Sequence, residues 1–207
     1  MSARGPVAGE ENVRSEQHLS AGARPSAARD RILSAVDRLF YREGIRAVGI
    51  DRIVDEAQVT RVTLYRHFAS KDDLVTAYLD ERAARGEQQL GELAARYDDP
   101  VQALLAIGRL LADEGFEAEY RGCAFINAAA EFSDPEHPAR ATVTRHRAWV
   151  RGQTAELLAE AGRPHPERTA EVLLMVRTGA VVANSLDGSP DVDQTFLRLW
   201  NELVTEA

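Results

Sequence analysis

Residues 60–71 contain the side chains of this sequence that are best suited to bind an anionic partner. If they form a helix, which turns by about 100° per residue, Leu64 and Phe68 share one face. Thr63 and Arg66 then lie on the opposite face. That outward face presents hydrogen-bond donors and no carboxylate, as a helix in the major groove of DNA requires. An ordinary amphipathic helix with a hydrated basic face is the alternative interpretation.

Two preceding features would position this helix. Ile53 to Ala57 form a short segment with a small apolar face, and Gln58 and Val59 follow as a tight turn. Thr60 is suited to cap the next helix, because its hydroxyl can accept a bond from an otherwise unpaired backbone N–H. The order of these features predicts a helix-turn-helix.

A third helix is expected directly behind the pair. Ser70 and Asp73 have the spacing of a capping box at its start. Lys71 falls in the first turn of that helix, where the helix dipole disfavours a cation. A phosphate group facing this helix end would account for the lysine.

These motifs resemble the DNA-binding domain of the tetracycline-repressor (TetR) family of transcriptional regulators, and the resemblance extends over residues 26–79. The residues that carry it are Ile32, Leu33, Val36, Leu39, Phe40, Gly44, Ile53, Ala57, Val59, Thr60, the run Thr63 to Phe68, Lys71 and Leu74. The sequence departs from the family pattern at Val48 and Gly49, where hydroxyl residues are usual. It also departs at Gln58, where glycine is usual. These departures affect individual contacts and leave the motif intact.

The resemblance implies a regulator that binds double-stranded DNA at a pseudo-palindromic operator as a homodimer. Repression is the family default, with release by a small-molecule effector. The implied DNA-binding residues are Thr60, Arg61, Val62, Thr63, Tyr65, Arg66, His67 and Lys71. Among them Tyr65 and Lys71 are expected at phosphates, and Arg66 is the candidate for a guanine contact. A DNA-binding architectural or interaction module without an effector is the alternative, although the helical part behind the motif is larger than dimerisation alone needs.

The charge of the chain is unevenly distributed. The net charge is −8, but residues 26–75 carry nine basic and eight acidic groups, and residues 76–207 carry 13 basic and 22 acidic groups. The acidic remainder would be repelled by phosphate, so DNA should approach the first segment only. No apolar run approaches the roughly 18 residues of a membrane span, and there is no signal-peptide pattern, which favours a cytoplasmic location.

Apolar residues recur at helical spacing after residue 25, and no segment alternates as a strand does. We therefore predict an all-α fold of about nine helices. A three-helix helix-turn-helix domain should occupy residues 26–72, and a larger effector-binding and dimerisation domain residues 73–207. Residues 1–25, rich in small residues and mixed charge, are expected to form a disordered arm. A long helix from Ser70 to about Arg96 should connect the two domains.

Other combinations of reactive residues do not predict chemistry. His137, His146 and His165 together with Cys123 could suggest a metal, but no two of them have metal-ligand spacing on a helix. There is also no glycine-rich phosphate loop and no Ser–His–acid pattern. We therefore predict no enzymatic activity, no metal and no cofactor.

The helices between about residues 100 and 161 carry more large apolar side chains than a small bundle requires. Core packing explains each of them singly. Together with the resemblance they suggest a mostly apolar pocket for a small, largely hydrophobic effector. The candidate pocket residues are Leu104, Ile107, Leu111, Phe116, Phe125, Asn127, His146 and Trp149.

The last two helices are the candidate dimer interface. Apolar residues repeat at i, i+3, i+4 and i+7 on the last helix, and a buried tryptophan often anchors such a surface. Packing of this stripe within a single chain is the alternative. The candidate interface residues are Leu174, Val181, Phe196, Leu199, Trp200 and Leu203.

Overall fold

The computed structural model describes residues 26–115, 121–188 and 191–206. Within these residues the fold is all-helical, as predicted, with nine helices and no strand. The helices are α1 (Ala27–Glu43), α2 (Ile50–Ala57), α3 (Arg61–His67), α4 (Lys71–Ala94), α5 (Pro100–Gly115), α6 (Ala124–Glu131), α7 (Pro138–Glu160), α8 (Pro166–Asp187) and α9 (Val192–Glu206). The predicted arm and Phe116 lie outside the described residues.

Local capping signals explain where most of the helices begin and end. The Ser26 hydroxyl accepts a bond from the Arg29 N–H at the start of α1, and Gly44, with φ +93°, ends that helix. The Ser70 hydroxyl accepts from Asp73 N at 3.0 Å and opens α4. Asp99 accepts from Val101 N at 2.9 Å and opens α5. The side chains that favour a turn or a cap therefore set the helix lengths.

The first of two apolar clusters, which we term the N-terminal cluster, joins α1, α2 and α3 to the first half of α4, to α6 and to the start of α7. Its members include Ile32, Phe40, Leu64, Tyr78 and Phe132. The cluster thus extends past residue 72. The domain division that we predict from the sequence therefore does not coincide with the division between the two cores.

The second apolar cluster, the C-terminal cluster, is formed by α5, the later part of α7, α8 and α9. Trp200 is buried at its centre, where Nε1 donates to the carbonyl of Leu104 at 2.8 Å. Helices α5 and α8 both pack against α9, and α4 packs against α5 and α7. Among the described residues no helix is both long and apolar enough to cross a membrane.

Candidate nucleic-acid interface and ligand cavity

Helix α3 is fixed to the protein by one face and exposes the other. Leu64 is fully buried and Phe68 is 4% exposed. On the outer side, Val62 is 78% exposed and Tyr65 is 45% exposed. The outer side of α3 therefore carries an exposed apolar side chain beside a tyrosine and an arginine.

The two arginines of α3 differ in their surroundings. Arg61 donates from Nε to Asp51 Oδ1 at 2.8 Å, and this hydrogen bond together with the charge of Asp51 raises the pKa of Arg61. Arg66 is exposed and forms no hydrogen bond or ion pair with another residue that the structure describes. Arg66 is therefore the cation on this face that a partner can engage without first breaking a contact.

Thr60 caps α3, because its Oγ1 accepts from Thr63 N at 3.1 Å. The Thr63 hydroxyl lies 2.9 Å from the same oxygen. These contacts hold the start of the helix. The turn before it has Gln58 at φ +50°, a left-handed conformation that explains why glycine is usual there.

Two predicted DNA-binding residues contact other residues of the protein. His67 Nε2 lies 3.1 Å from the hydroxyl of Ser26 at the protein surface, so this ring nitrogen already has a contact within the protein. Lys71 Nζ reaches the carbonyl of Arg46 at a long 3.5 Å and lies 5.9 Å from the centre of the Phe40 ring. Burial lowers the pKa of Lys71, against the opposing charges of Glu131 and Asp72.

A cavity of about 460 Å³ opens between α4, α5, α7 and α8, and both apolar clusters contribute to its wall. Five of the eight predicted pocket residues line it, namely Ile107, Leu111, Phe125, His146 and Trp149. The other described ones do not. Leu104 is fully buried behind the wall, where its carbonyl receives the Trp200 bond. Asn127 donates to the carbonyl of Arg121 and closes the loop before α6.

Sequence reasoning missed most of the polar residues of the cavity. Its lining also includes Tyr41, Arg82, Arg85, Arg147 and Arg177. They belong to α1, α4, α7 and α8, so no local motif joins them. Only the tertiary packing brings these positions to one wall. The cavity is therefore apolar over much of its surface, with an unexpected cationic part.

His146 is at the centre of an aromatic group on the cavity wall. Its ring stacks on Phe125 at 4.1 Å between ring centres and is nearly parallel to Trp149 at 6.5 Å. Burial lowers the pKa of His146, although the bond from Nδ1 to Glu87, at 3.2 Å, acts in the opposite direction. The ring is therefore mostly neutral at neutral pH, and one of its faces is covered by Phe125. Among the described residues no group of three His, Cys, Asp or Glu is placed to hold a metal ion.

Helix α6 connects the cavity to the helix-turn-helix. Its first turn lines the cavity, and the loop before it is held by Tyr41, whose hydroxyl donates to Gly122 O and accepts from Arg121 N. At its other end, the Glu131 carboxylate accepts from Ile45 N at 2.9 Å and from Arg46 N at 2.7 Å. Both anchors lie on α1 or on the connection between α1 and α2.

The residues that we predicted at a dimer interface are mostly internal. Leu174, Val181, Phe196 and Trp200 are each less than a tenth exposed, because the stripe on α9 packs against α5 and α8 of its own chain. Leu203 also packs on this core, and of the six only Leu199, at 39%, is exposed. The prediction was wrong about which side of the helices is free. The exposed apolar residues of α8 are Met175, Val182 and Leu186.

The arrangement of α2, the turn and α3 on α1 is that of a helix-turn-helix DNA-binding protein. The family model described as "Bacterial regulatory proteins, tetR family" matches residues 32–78. A solved TetR-family transcriptional regulator from Streptomyces coelicolor is 41% identical, with 87% of this chain and 95% of that chain covered and a TM-score of 0.81. The chain therefore belongs to the TetR family of transcriptional regulators.

Curated relatives agree with this assignment. An uncharacterised helix-turn-helix regulator of Mycobacterium tuberculosis is 27% identical over 195 residues, which are 81% of this chain and 94% of the relative. The transcriptional activator FasR of Mycolicibacterium smegmatis is 41% identical over 51 residues, covering 25% of this chain and 23% of its own. These relatives are transcriptional regulators and not enzymes.

Proposed function

We propose that this regulator binds a pseudo-palindromic operator as a homodimer, represses transcription there, and is released by a small effector that occupies the cavity. Residues 26–72 would bind DNA, and residues 73–207 would bind the effector and the second protomer. The observation that carries the proposal is the exposed face of α3, where Val62, Tyr65 and Arg66 are free while Leu64 and Phe68 hold the helix.

Each side chain of that face has a role that its chemistry suits. Arg66 would form paired bonds to the O6 and N7 atoms of a guanine, and Val62 would contact a thymine methyl group. Tyr65 would donate to a phosphate. Arg61 and Lys71 would exchange Asp51 and the Arg46 carbonyl for phosphate oxygens, which carry a full charge and accept stronger bonds.

Dimerisation would use the outer faces of α8 and α9. Met175, Val182 and Leu186 are spaced seven and four residues apart, so they lie on one side of α8. Leu199 is exposed on the neighbouring α9. Apolar residues aligned along a packed helix pair favour burial against a second copy, which would also supply the second α3 that a specific site needs.

The effector would act by a shift between two arrangements of the dimer. It must bind more tightly to the arrangement in which the two α3 helices are wrongly spaced for DNA. Helix α6 supports this role, because its first turn lines the cavity while Glu131 at its end holds the backbone between α1 and α2. Helix α4 would carry the movement on the other side.

A binding assay with DNA from upstream of the protein's own gene tests the proposal. Fluorescence anisotropy should show binding at least about 1,000-fold tighter than to a scrambled fragment, with strong salt dependence and two protomers per site. Equal affinity for both fragments, or one protomer per site, would refute the operator and dimer assignment. A compound that fills the cavity should weaken the complex, and the complex should weaken binding of that compound by the same factor.

A further inference from the structure

The cavity wall contains more positive than negative side chains. Four arginines line it, and Glu114 is the one carboxylate among the described lining residues. The Glu114 carboxylate accepts a bond from the Gln89 amide at 2.6 Å. Arg82 forms two bonds to Asp37, and Arg85 shares the same carboxylate at 3.2 Å. Arg85 also lies 3.8 Å from the Glu81 carboxylate, so two arginines and two carboxylates balance on this side of the wall.

The opposite side of the wall is not neutralised. Arg147 on α7 donates to the uncharged hydroxyl of Thr178 at 3.3 Å. Arg177 on α8 forms no hydrogen bond or ion pair with another described residue. Both arginines act electrostatically on His146, so the two charges lie near the same ring. The Glu87 carboxylate contacts this ring through His146 Nδ1 at 3.2 Å and forms no ion pair with either arginine.

Two cations facing a partly dehydrated cavity repel each other more strongly than they would in water. A bound anion removes this repulsion and gains charge-assisted hydrogen bonds from both guanidinium groups. Beside them, the stacked rings of Phe125, His146 and Trp149 form an aromatic patch of the lining that a neutral, apolar body can contact. The two arginines would thus contact the anionic end of a ligand, and the aromatic rings would contact its apolar end.

We propose that the effector is an amphipathic organic anion, whose carboxylate is held by Arg147 and Arg177 and whose apolar body lies against Phe125 and Trp149. This inference rests on the proposed effector role of the cavity. The volume of about 460 Å³ lies in the range of pockets for small organic ligands. This proposal adds a charged head group to the small, largely hydrophobic effector that the sequence suggested.

Three probes that share one body and differ in their head group test this class. Phenylbutanoate, phenylbutanol and phenylbutylamine are titrated into the full-length protein by calorimetry at about pH 7.5, where the acid is ionised and the amine is protonated. Phenylbutanoate should bind about 10-fold or more tightly than the alcohol, and the amine most weakly. Equal binding of acid and alcohol, tighter binding of the amine, or no binding of the acid at millimolar concentration overturns the proposal.

Matched variants locate the head group. Arg177→Gln and Arg147→Gln should each weaken phenylbutanoate by about 10- to 100-fold and leave phenylbutanol unchanged. Arg151→Gln is the control, because Arg151 lies on the same helix as Arg147, pairs with Glu171 and does not line the cavity. A loss of both probes in one variant, with altered thermal unfolding, would indicate a structural role and contradict the assignment.

Two outcomes distinguish an error in the anionic class of the ligand from an error in the proposed effector role of the cavity. If phenylbutanoate binds with the expected arginine dependence but leaves the DNA complex unchanged, the anion site stands and the effector role fails. If phenylbutanol releases DNA as well as phenylbutanoate does, the cavity controls DNA binding and the anionic class is wrong. Arg177→Gln provides a second test, because it should abolish release by phenylbutanoate while its DNA affinity stays that of the wild type.

Discussion

The exposed face of α3 comes from seven consecutive residues, Arg61 to His67, whereas the cavity wall draws on helices from α1 to α9. DNA is a large and rigid partner, so one protruding helix on a firm base can read it. A small molecule must be enclosed, so its site needs several elements at once. The α3 surface can therefore be predicted from local sequence, whereas the cavity wall depends on tertiary packing.

Helix α6 belongs to both regions. Ala124, Ala128 and the following Phe132 are buried in the N-terminal cluster, although the same helix begins on the cavity wall. Helix α6, which is eight residues long, is thus an element that the base of α3 and the cavity wall share, beside the longer α4 and α7. Substitutions that affect one cluster, one surface or this shared helix should therefore change the two regions differently.

The largest effect is expected for Gly108→Ala in α5. A methyl group there would lie 2.4 Å from Cδ1 and 2.6 Å from Nε1 of Trp200. The indole cannot move away freely, since its N–H is bonded to the Leu104 carbonyl. We expect the free energy of unfolding to fall by about 2–3 kcal/mol in chemical denaturation.

The control is Gly152→Ala in α7, where an added methyl group meets nothing within 4 Å. This variant should be unchanged or up to about 1 kcal/mol more stable, because alanine favours a helix over glycine. Amide exchange should show that Gly108→Ala loosens α5 and α9 more than α1 to α3. Equal loosening of all of them would mean that the two clusters unfold as one unit.

The next largest effect concerns the DNA surface alone. Arg66→Ala should lose about 1–3 kcal/mol of discrimination between the operator and a sequence changed at the contacted guanine. Arg42→Ala is the control, because Arg42 is an exposed cation of the same domain in the last turn of α1. Equal weakening of Arg66→Ala on all sequences would assign this arginine to phosphate and remove it from base recognition.

The same contrast between local and tertiary determinants explains which features of each region the sequence predicts. Leu64, Phe68, the Thr60 cap and the Ser70 cap are set by neighbours within a few residues, and the structure has them as predicted. The contact from His67 to Ser26 spans 41 residues, so helical periodicity could place the ring only on a flank of α3. Its partner was not predictable from spacing.

The lack of long-range information in a sequence pattern also explains why the stripe on α9 was wrongly assigned to a dimer interface. The apolar stripe predicts that Phe196 and Trp200 are buried, but a stripe does not identify what covers it. Only the position of α5, with Gly108 small enough to admit the indole ring, shows that the cover belongs to the same chain. A dimer variant is therefore better made at exposed Val182 than at Trp200, where loss of the core would obscure the result.

The connection between the regions can be weakened at Glu131. Glu131→Gln keeps one carbonyl acceptor for the two backbone N–H groups of Ile45 and Arg46, and Ile45 is buried. We expect a loss of about 1–2 kcal/mol in unfolding free energy and faster exchange of these two amides. Glu136→Gln, an exposed acid in the next turn, should stay within about 0.5 kcal/mol. Unchanged exchange at residues 45 and 46 would show that α6 does not hold this backbone.

A smaller effect is expected for Lys71→Ala, since its ammonium group has only a weak protein contact to exchange for phosphate. Binding should weaken similarly for every DNA sequence, and the slope of log affinity against log salt should decrease by about one. This result would separate Lys71 from Arg66, whose loss changes the preference between sequences. An unchanged salt slope would show that Lys71 stays on the Arg46 carbonyl in the complex.

The smallest effect compares one strained residue from each region. Among the described non-glycine residues, Gln58 before α3 and His165 before α8 have positive φ, at 50° and 54°. A left-handed conformation costs a residue with a Cβ about 1–2 kcal/mol, and glycine returns about 0.5–1 kcal/mol of this as unfolded-state entropy. Gln58→Gly and His165→Gly should therefore each stabilise the protein by about 0.5 kcal/mol, and Gln58→Ala by nothing. Thermal unfolding measures the gain in stability. Operator binding by the same variants then shows whether the strain also affects DNA recognition. If only Gln58→Gly alters DNA affinity, the strain at that turn helps to set the angle of α3. If neither variant alters it, the strain at both residues is only the energetic cost of reversing the chain direction.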